Sequence, residues 1–225
     1  MKKISCIIPT YNEEPRIKNV LEIVANHPLI DEIIVVDDGS IDNTQNIVKK
    51  FENVKLIVHS KNQGKSMAIY TGVRESNGEF IFLLDADLLG LTSSNIATLI
   101  EPVSSGIADI SISLRRNTPW VWKLIGIDYI SGERVFPKKM LKDNLEKIRS
   151  LPGFGLEIFI NNVIIANKYR IKIVKWNNVD SPYKHKKHGF WIGIKGEFKM
   201  YKHIFKTAGI LGPIYQIIKM LHLKV

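Results

Sequence analysis

Phe80-Ile81-Phe82-Leu83-Leu84-Asp85-Ala86-Asp87 is the stretch on which the fold reading turns. Five large apolar residues in a row read as a strand buried on both faces, the kind found in parallel sheets covered by helices. The run then presents two carboxylates separated by one small residue. Like charges at a sheet edge repel, which favours protonation or a cation between them. Hard carboxylate oxygens suit Mg²⁺ or Mn²⁺, ions that complete their shell with substrate phosphates. A solvated loop whose aspartates cap the next segment is the alternative reading of the same residues.

The units on either side repeat the pattern. Ile4 to Ile8 is an apolar, β-rich run ended by Pro9, and Arg16 to Ala25 places Ile17, Val20, Leu21 and Val24 on one helical face. Ile33 to Val36 reads as a second strand, followed by a helix marked by Ile47, Val48 and Phe51; Leu56 to Val58 and Gly64 to Glu75 form the next strand and helix. Beyond the opening stretch, Ile96, Leu99, Ile100 and Val103 mark a helix, and Ala108 to Leu114 returns as a strand. Strands alternating with helices through half the chain predict an α/β protein with a mostly parallel central sheet flanked by helices. Ligands of such sheets bind beyond the carboxyl ends of the strands. Four strand-following loops are polar there: Pro9 to Glu14, Asp37 to Ser40, Asn62 to Lys65, and Asp85 to Asp87.

The second half is less regular. Trp120 to Tyr129 reads as helical, Ser131 to Phe136 as a turn entering a strand, Leu156 to Ala166 as an apolar helix, and Ile171 to Trp176 as a strand. Lys184 to His188 concentrates charge, and from Phe198 onward Met200, Tyr201, Ile204 and Phe205 fit one helical face with a basic opposite side. No repeat or low-complexity linker divides the chain. A single domain over 1–225 is expected, with a regular 1–115 half, a less regular 116–196 half and basic amphipathic helices over 197–225.

Composition narrows the partners. Lys and Arg number 32 against 22 Asp and Glu, a net charge of +10, which attracts phosphates, anionic membranes or nucleic acid. The lone cysteine, Cys6, lies in an apolar run and excludes an intramolecular disulfide. The apolar residues before Pro9 are too few for a signal peptide, and the stretch from Thr207 to Ile218 is broken by Gly212-Pro213 short of a spanning helix. A cytoplasmic location, peripheral on the cytoplasmic face of a membrane, is therefore expected.

Taken together, the four loops resemble the nucleotide-sugar site of family-two glycosyltransferases with the GT-A (nucleotide-diphospho-sugar transferase) fold. The resemblance runs through residues 4–115 and rests on Pro9-Thr10-Tyr11-Asn12-Glu13-Glu14, Val36-Asp37-Asp38-Gly39-Ser40 with Asp42-Asn43-Thr44, Asn62-Gln63-Gly64-Lys65, and Asp85-Ala86-Asp87. Among relatives the chain is similar to dolichyl-phosphate and other polyprenyl-phosphate sugar synthases, through the Ser131-Gly132 to Phe136 stretch.

The resemblance implies a UDP- or GDP-sugar donor, with Tyr11 packing on the base behind Pro9, and Glu13 and Asp38 accepting from base and ribose. Asp37 either shares that task or caps the following helix. Lys65, Ala86 and Arg115 complete the nucleotide site. Asp85 would reach the ribose or a metal-bound water and Asp87 would bind Mn²⁺ or Mg²⁺ directly, the cation assisting departure of the diphosphate. Many relatives add a histidine to the metal; Ser181 stands at that place here, with His185 and His188 nearby in sequence.

For a hydroxyl acceptor the resemblance makes Glu157 the catalytic base. A lipid-phosphate acceptor brings no proton to remove; Arg134 and Lys138 would then orient it, and Glu157 would be structural. The basic, apolar C-terminal segment suits either a helix in a membrane interface or a core-packing helix with a solvated outer face. A nucleic-acid-binding function is the reading from another class, but Lys and Arg are dispersed and no aromatic RNA-binding motif occurs, so no nucleic-acid partner is expected. A catalytically inactive interaction module is a further alternative.

Overall fold

The computed structural model describes residues 3–151, 155–182 and 212–225. The expected helix from Phe198 and the Lys184 to His188 cluster lie outside the described residues.

The strands are β1 (Ile4–Thr10), β2 (Glu32–Asp37), β3 (Val54–Val58), β4 (Phe80–Leu83), β5 (Ile110–Arg115), β6 (Arg134–Pro137) and β7 (Ile171–Trp176). They form one sheet in the order β3-β2-β1-β4-β6-β5-β7. All neighbours are parallel except β6, which runs antiparallel between β4 and β5 with Leu83 opposite Arg134. The parallel strands therefore end on one edge, where Thr10 is opposite Asp37. The antiparallel strand begins on that same edge.

Alternation along the buried strands supplies two cores. Cys6, Ile8, Phe80 and Phe82 face α1 (Ile17–Val24) and α4 (Ser93–Ser104), which bring Leu21, Val24, Leu99 and Ile100. Ile7, Ile81 and Leu83 face the opposite way, against Ile69 and Val73 of α3 (Lys65–Glu75), Ile160 and Ile164 of α7 (Gly155–Ala166), and Met220 of α8 (Gly212–Leu221). Both phases of each central strand are thus buried, which is why those strands read as unbroken apolar runs. Burial also pushes the Cys6 thiol well above its ordinary pKa.

Several boundaries differ from the sequence reading. The helix expected over Trp120 to Tyr129 is shorter, α5 (Trp120–Ile125), because Gly126 takes a left-handed conformation and caps it. Ile127 and Tyr129 then turn into the core. The basic segment after Pro137 forms a 3₁₀ turn (Lys138–Asn144) and a short helix, α6 (Leu145–Ile148), neither of which shows a clean period in sequence. Gly212-Pro213, read as an interruption, instead opens α8. Proline suits a first helical turn, where its missing N–H has no intrahelical partner to lose. The remaining helix, α2 (Thr44–Val48), follows the β2 loop.

Candidate active site

The loops after β1 and β2 are one structural unit. Asn12, at φ 54°, accepts from the Ile41 amide through Oδ1 (2.9 Å), while its own amide donates to Ser40 Oγ (2.9 Å). The Glu13 amide donates to Thr44 Oγ1 (2.9 Å), the Glu14 amide to Asp42 Oδ2 (3.1 Å), and the Asn43 amide to Glu14 Oε2 (3.1 Å). Asn12, Glu14, Ser40, Asp42 and Thr44 each satisfy a backbone group of the other motif with a side chain, which explains why the two stretches travel together. Tyr11 is left half-exposed at the rim, and the Glu13 carboxylate pairs with Arg16 at 3.1 Å.

Asp37 and Asp38 divide their work. Asp37 is fully buried and folds its own loop, accepting from the Ser40 amide (2.8 Å) and Gln45 Nε2 (3.0 Å). It is not the cap of α2, whose N-cap residue is Asn43. Asp38 accepts from the amides of Gln63 (3.0 Å) and Gly64 (2.7 Å), and His59 Nδ1 lies 2.8 Å away. Asp38 thus fixes the loop that starts α3. Gly64 sits there at φ 94°, a conformation that side-chain-bearing residues rarely adopt.

That loop delivers Lys65. Its ammonium stands 2.7 Å from Asp85 Oδ1 and 3.4 Å from Glu157 Oε1. Burial pulls the Lys65 pKa down, but Asp85 and Glu157 outweigh it and hold the group above an ordinary lysine. On the other side of Asp85, Arg115 Nη1 is 4.0 Å from Oδ2 and 2.9 Å from Glu133 Oε1, while Nη2 is 4.0 Å from Asp128. Burial lowers the Arg115 pKa and is overcome by Glu133, Asp128, Asp85 and Asp87 together. Glu133 is fully buried and accepts from Ser113 Oγ (2.7 Å) and Ser131 Oγ (3.0 Å). Burial raises its carboxyl pKa, Asp85 adds to the rise, and Arg115 opposes it. Gly132 closes the arrangement: a Cβ there would stand 2.6 Å from Asp85 Oδ2.

One cavity of about 350 Å³ is lined by Pro9, Tyr11, Glu13, Asp38, Lys65, Asp85, Ala86 and Asp87, together with Thr10, Asn62, Gly64 and Ala68. Arg115 sits at its edge through Asp85. Glu157 is buried at the start of α7, and its Oε2 has no hydrogen-bond partner among the described residues.

The two residues expected to orient a phosphate acceptor are not brought to this cavity. Arg134 is fully buried; Nε donates to Ser131 O (2.7 Å), Nη1 to Asn161 Oδ1 (2.6 Å) and Nη2 to Tyr129 O (2.7 Å). Its donors hold the backbone beneath the site. Lys138 follows β6, whose end lies opposite Phe80 at the start of β4, and donates to Ser76 O at 2.5 Å. Because β6 is antiparallel, four residues carry the chain from the site edge to the far edge of the sheet.

Glu133, Asp128 and His59 had no role in the sequence reading. The available signal for Glu133 was an acid directly before Arg134-Val135-Phe136, a strand with no exposed residue.

Five carboxylates (Asp85, Asp87, Asp128, Glu133, Glu157) share this region with three cationic side chains, Lys65, Arg115 and Arg134. The surplus is negative. Among the described residues no three His, Cys, Asp or Glu side chains are placed to hold a metal by themselves. This donor set fits a hard cation that takes one or two carboxylates and fills its shell with water and phosphate oxygens. Ser181, which the resemblance put in place of a histidine, is hydrogen-bonded to Asn117 through its amide (3.2 Å) and carbonyl (2.6 Å). The adjacent Asp180 bridges Leu89, two residues past Asp87 (amide to carbonyl, 2.9 and 3.0 Å). His185 and His188 lie outside the described residues.

Comparison with known proteins agrees with this geometry. The model of the family described as glycosyl transferase family 2 matches residues 5–160. The UDP-N-acetylglucosamine--dolichyl-phosphate N-acetylglucosaminyltransferase of Methanococcus voltae is 32% identical, covering 76% of this chain and 83% of that protein. The dolichol-phosphate mannosyltransferase of Pyrococcus furiosus is 30% identical over 96% of this chain and 67% of its own length. Glucosyl-3-phosphoglycerate synthase from Mycobacterium tuberculosis, solved with Mn²⁺, UDP and glucosyl-3-phosphoglycerate, superposes with a TM-score of 0.71 at 20% identity, covering 93% of this chain and 81% of that one. The cavity at the strand ends, the interlocked loops over it and the match across residues 5–160 lead to one conclusion: the chain belongs to glycosyl transferase family 2 and is a glycosyltransferase of the GT-A fold.

Proposed function

We propose that this enzyme transfers a sugar, with inversion and with a bound Mn²⁺ or Mg²⁺, from a UDP- or GDP-sugar to a polyprenyl or dolichyl phosphate at a membrane surface. The observation that carries the acceptor assignment is the setting of Glu157, buried with Oε1 3.4 Å from the Lys65 ammonium. Glu157 is engaged in holding Lys65, and a phosphate acceptor, being an anion, needs no base to remove a proton. The names of the two relatives that cover most of this chain, both dolichyl-phosphate transferases, support the same reading.

In this account Tyr11 and Pro9 pack against the base. Glu13 and Asp38 face it from the interlocked loops, with Asp38 acting also through the loop it fixes. Asp87 would hold the cation, while Asp85, kept by Lys65 and Arg115 on either side, would meet the ribose or a water of that cation's shell. Ala86, between the two carboxylates, lines the cavity with them. When bound, the cation supplies Lewis-acid stabilisation of the departing diphosphate. Lys65 and Arg115 add fixed positive charge beside it, set in place before the reaction by Asp85, Glu157 and Glu133. Glu157 positions Lys65.

The test is a donor screen. Labelled UDP-N-acetylglucosamine, UDP-glucose and GDP-mannose are each incubated with Mn²⁺ and a polyprenyl phosphate, and the anomeric configuration of the product is determined by NMR. A lipid-linked sugar of inverted configuration is expected; retention, or transfer independent of a divalent cation, contradicts the mechanism.

A further inference from the structure

α5 has no buried residue. Trp120 is 74% exposed and Leu124 80%, with Val121 and Lys123 also outward. Trp122 and Ile125 cover the core edge, so two large apolar side chains and a cation point away from it. Such a helix gains little from the fold on its outer face.

Its attachment is specific. The chain leaves β5 at Arg115 and returns at Asp128, and Thr118 Oγ1 donates to Asp128 Oδ2 at 3.0 Å, closing the excursion at its neck. Asp128 is itself 4.0 Å from Arg115, which is 4.0 Å from Asp85. The exposed helix is therefore linked through Asp128 and Arg115 to Asp85, which lines the cavity. At its far end, Lys224 Nζ donates to the carbonyl of Gly126, the α5 cap, at 3.1 Å. This ties α5 to the segment after α8, whose outward residues include Ile214, Tyr215, Ile218 and Lys219.

We propose that α5 is a membrane-docking wedge, with Trp120 and Leu124 entering the headgroup boundary of an anionic bilayer and Lys123 meeting its phosphates. Tryptophan and lysine beside leucine on a short exposed helix is the chemistry of a lipid interface, and the net charge of +10 complements an anionic surface. Docking there brings the Arg115 and Asp85 cluster to the plane of the lipid phosphates. That purpose rests on the lipid-phosphate reading above; the docking itself does not.

The test is co-sedimentation of the whole chain with vesicles of phosphatidylcholine alone or with 30% phosphatidylglycerol, without substrates, for wild type, the Trp120→Ser/Leu124→Ser double variant and Lys123→Glu. Wild type is expected to bind the anionic vesicles. The double variant should lose roughly tenfold or more in affinity and Lys123→Glu should show a weakened preference for phosphatidylglycerol, both with unchanged thermal unfolding. Wild type failing to bind, or the double variant binding equally well, overturns the proposal. A double variant that loses self-association in solution but keeps vesicle binding assigns the face to a second copy and also overturns it. Vesicle binding without any transfer to lipid phosphate would defeat the acceptor reading and leave the docking surface standing; transfer to a short, water-soluble isoprenyl phosphate without vesicle binding would do the reverse.

Discussion

Lys65 Nζ stands 2.7 Å from Asp85 Oδ1 and 3.4 Å from Glu157 Oε1, so one ammonium joins the loop after β3, the loop after β4 and the first turn of α7. The first aspartate of Asp85-Ala86-Asp87 is thus tied to two other parts of the chain.

Replacing the ammonium by an apolar chain removes the cation between Asp85 and Glu157 and leaves Asp85 with Arg115 at 4.0 Å. Lys65→Met should lower kcat/KM for the sugar donor by roughly 10²-fold or more, with nucleotide affinity in the presence of Mn²⁺ also reduced. Steady-state kinetics and calorimetric titration with UDP and GDP measure the two effects.

Gly132 makes room for Asp85. A methyl group at that position must displace a carboxylate standing 2.6 Å away, which breaks the contacts to Lys65 and Arg115. Gly132→Ala should therefore lose most turnover while its thermal midpoint moves by only a few degrees, whereas Gly106→Ala, on the surface away from the site, should leave turnover unchanged.

Asp42 links the two interlocked loops. Burial raises its carboxyl pKa, but hydrogen bonds from the Thr44 hydroxyl and from the amides of Thr44 and Glu14 prevail and hold it below the ordinary 3.8. The folded pKa lies below the unfolded one. Its contribution to stability is present above about pH 3.8 and is lost as pH falls through the depressed folded value. Urea unfolding followed from pH 5 to pH 2 should show a weaker loss of stability in Asp42→Asn than in wild type.

Arg134 and Lys138 separate a buried scaffold from a surface. Arg134→Met leaves the Ser131 carbonyl and Asn161 Oδ1 without their Arg134 donors and removes one of the two donors to the Tyr129 carbonyl, the other being Asn161 Nδ2, and should cost about 3 kcal/mol of stability. Lys138→Met, on the far edge of the sheet, should leave the KM for donor and acceptor within about twofold of wild type. Denaturant unfolding and initial-rate kinetics distinguish them.

Much of this was legible in sequence for physical reasons. Strands buried on both faces must be unbroken apolar runs, so Ile4 to Ile8 and Phe80 to Leu83 announced themselves, and a parallel sheet sends its polar loops to one edge. Eight residues named from those loops line one cavity. What sequence could not show was direction and depth. Nothing local to Ser131-Gly132-Glu133-Arg134 says that β6 is antiparallel, yet that reversal carries Lys138 to the far edge and buries Arg134 beneath the site. Glu133 was missed because a buried acid is stabilised by partners remote in sequence, Arg115 and Ser113, and not by its neighbours. Asp37 shows the converse: two adjacent acids look interchangeable, and only the loop path reveals that one folds its own turn while the other fixes α3.

The central claim, transfer to a lipid phosphate without a protein base, is tested most directly by offering two acceptors side by side. With the productive labelled donor and Mn²⁺, wild type, Glu157→Gln and Asp87→Asn are each given a polyprenyl phosphate and, separately, 3-phosphoglycerate, and label is partitioned between organic and aqueous phases. The account predicts organic-phase label from wild type, transfer by Glu157→Gln reduced only through its loss of hold on Lys65, and no metal-dependent transfer by Asp87→Asn. Label moving solely to 3-phosphoglycerate, together with complete loss in Glu157→Gln, would contradict it.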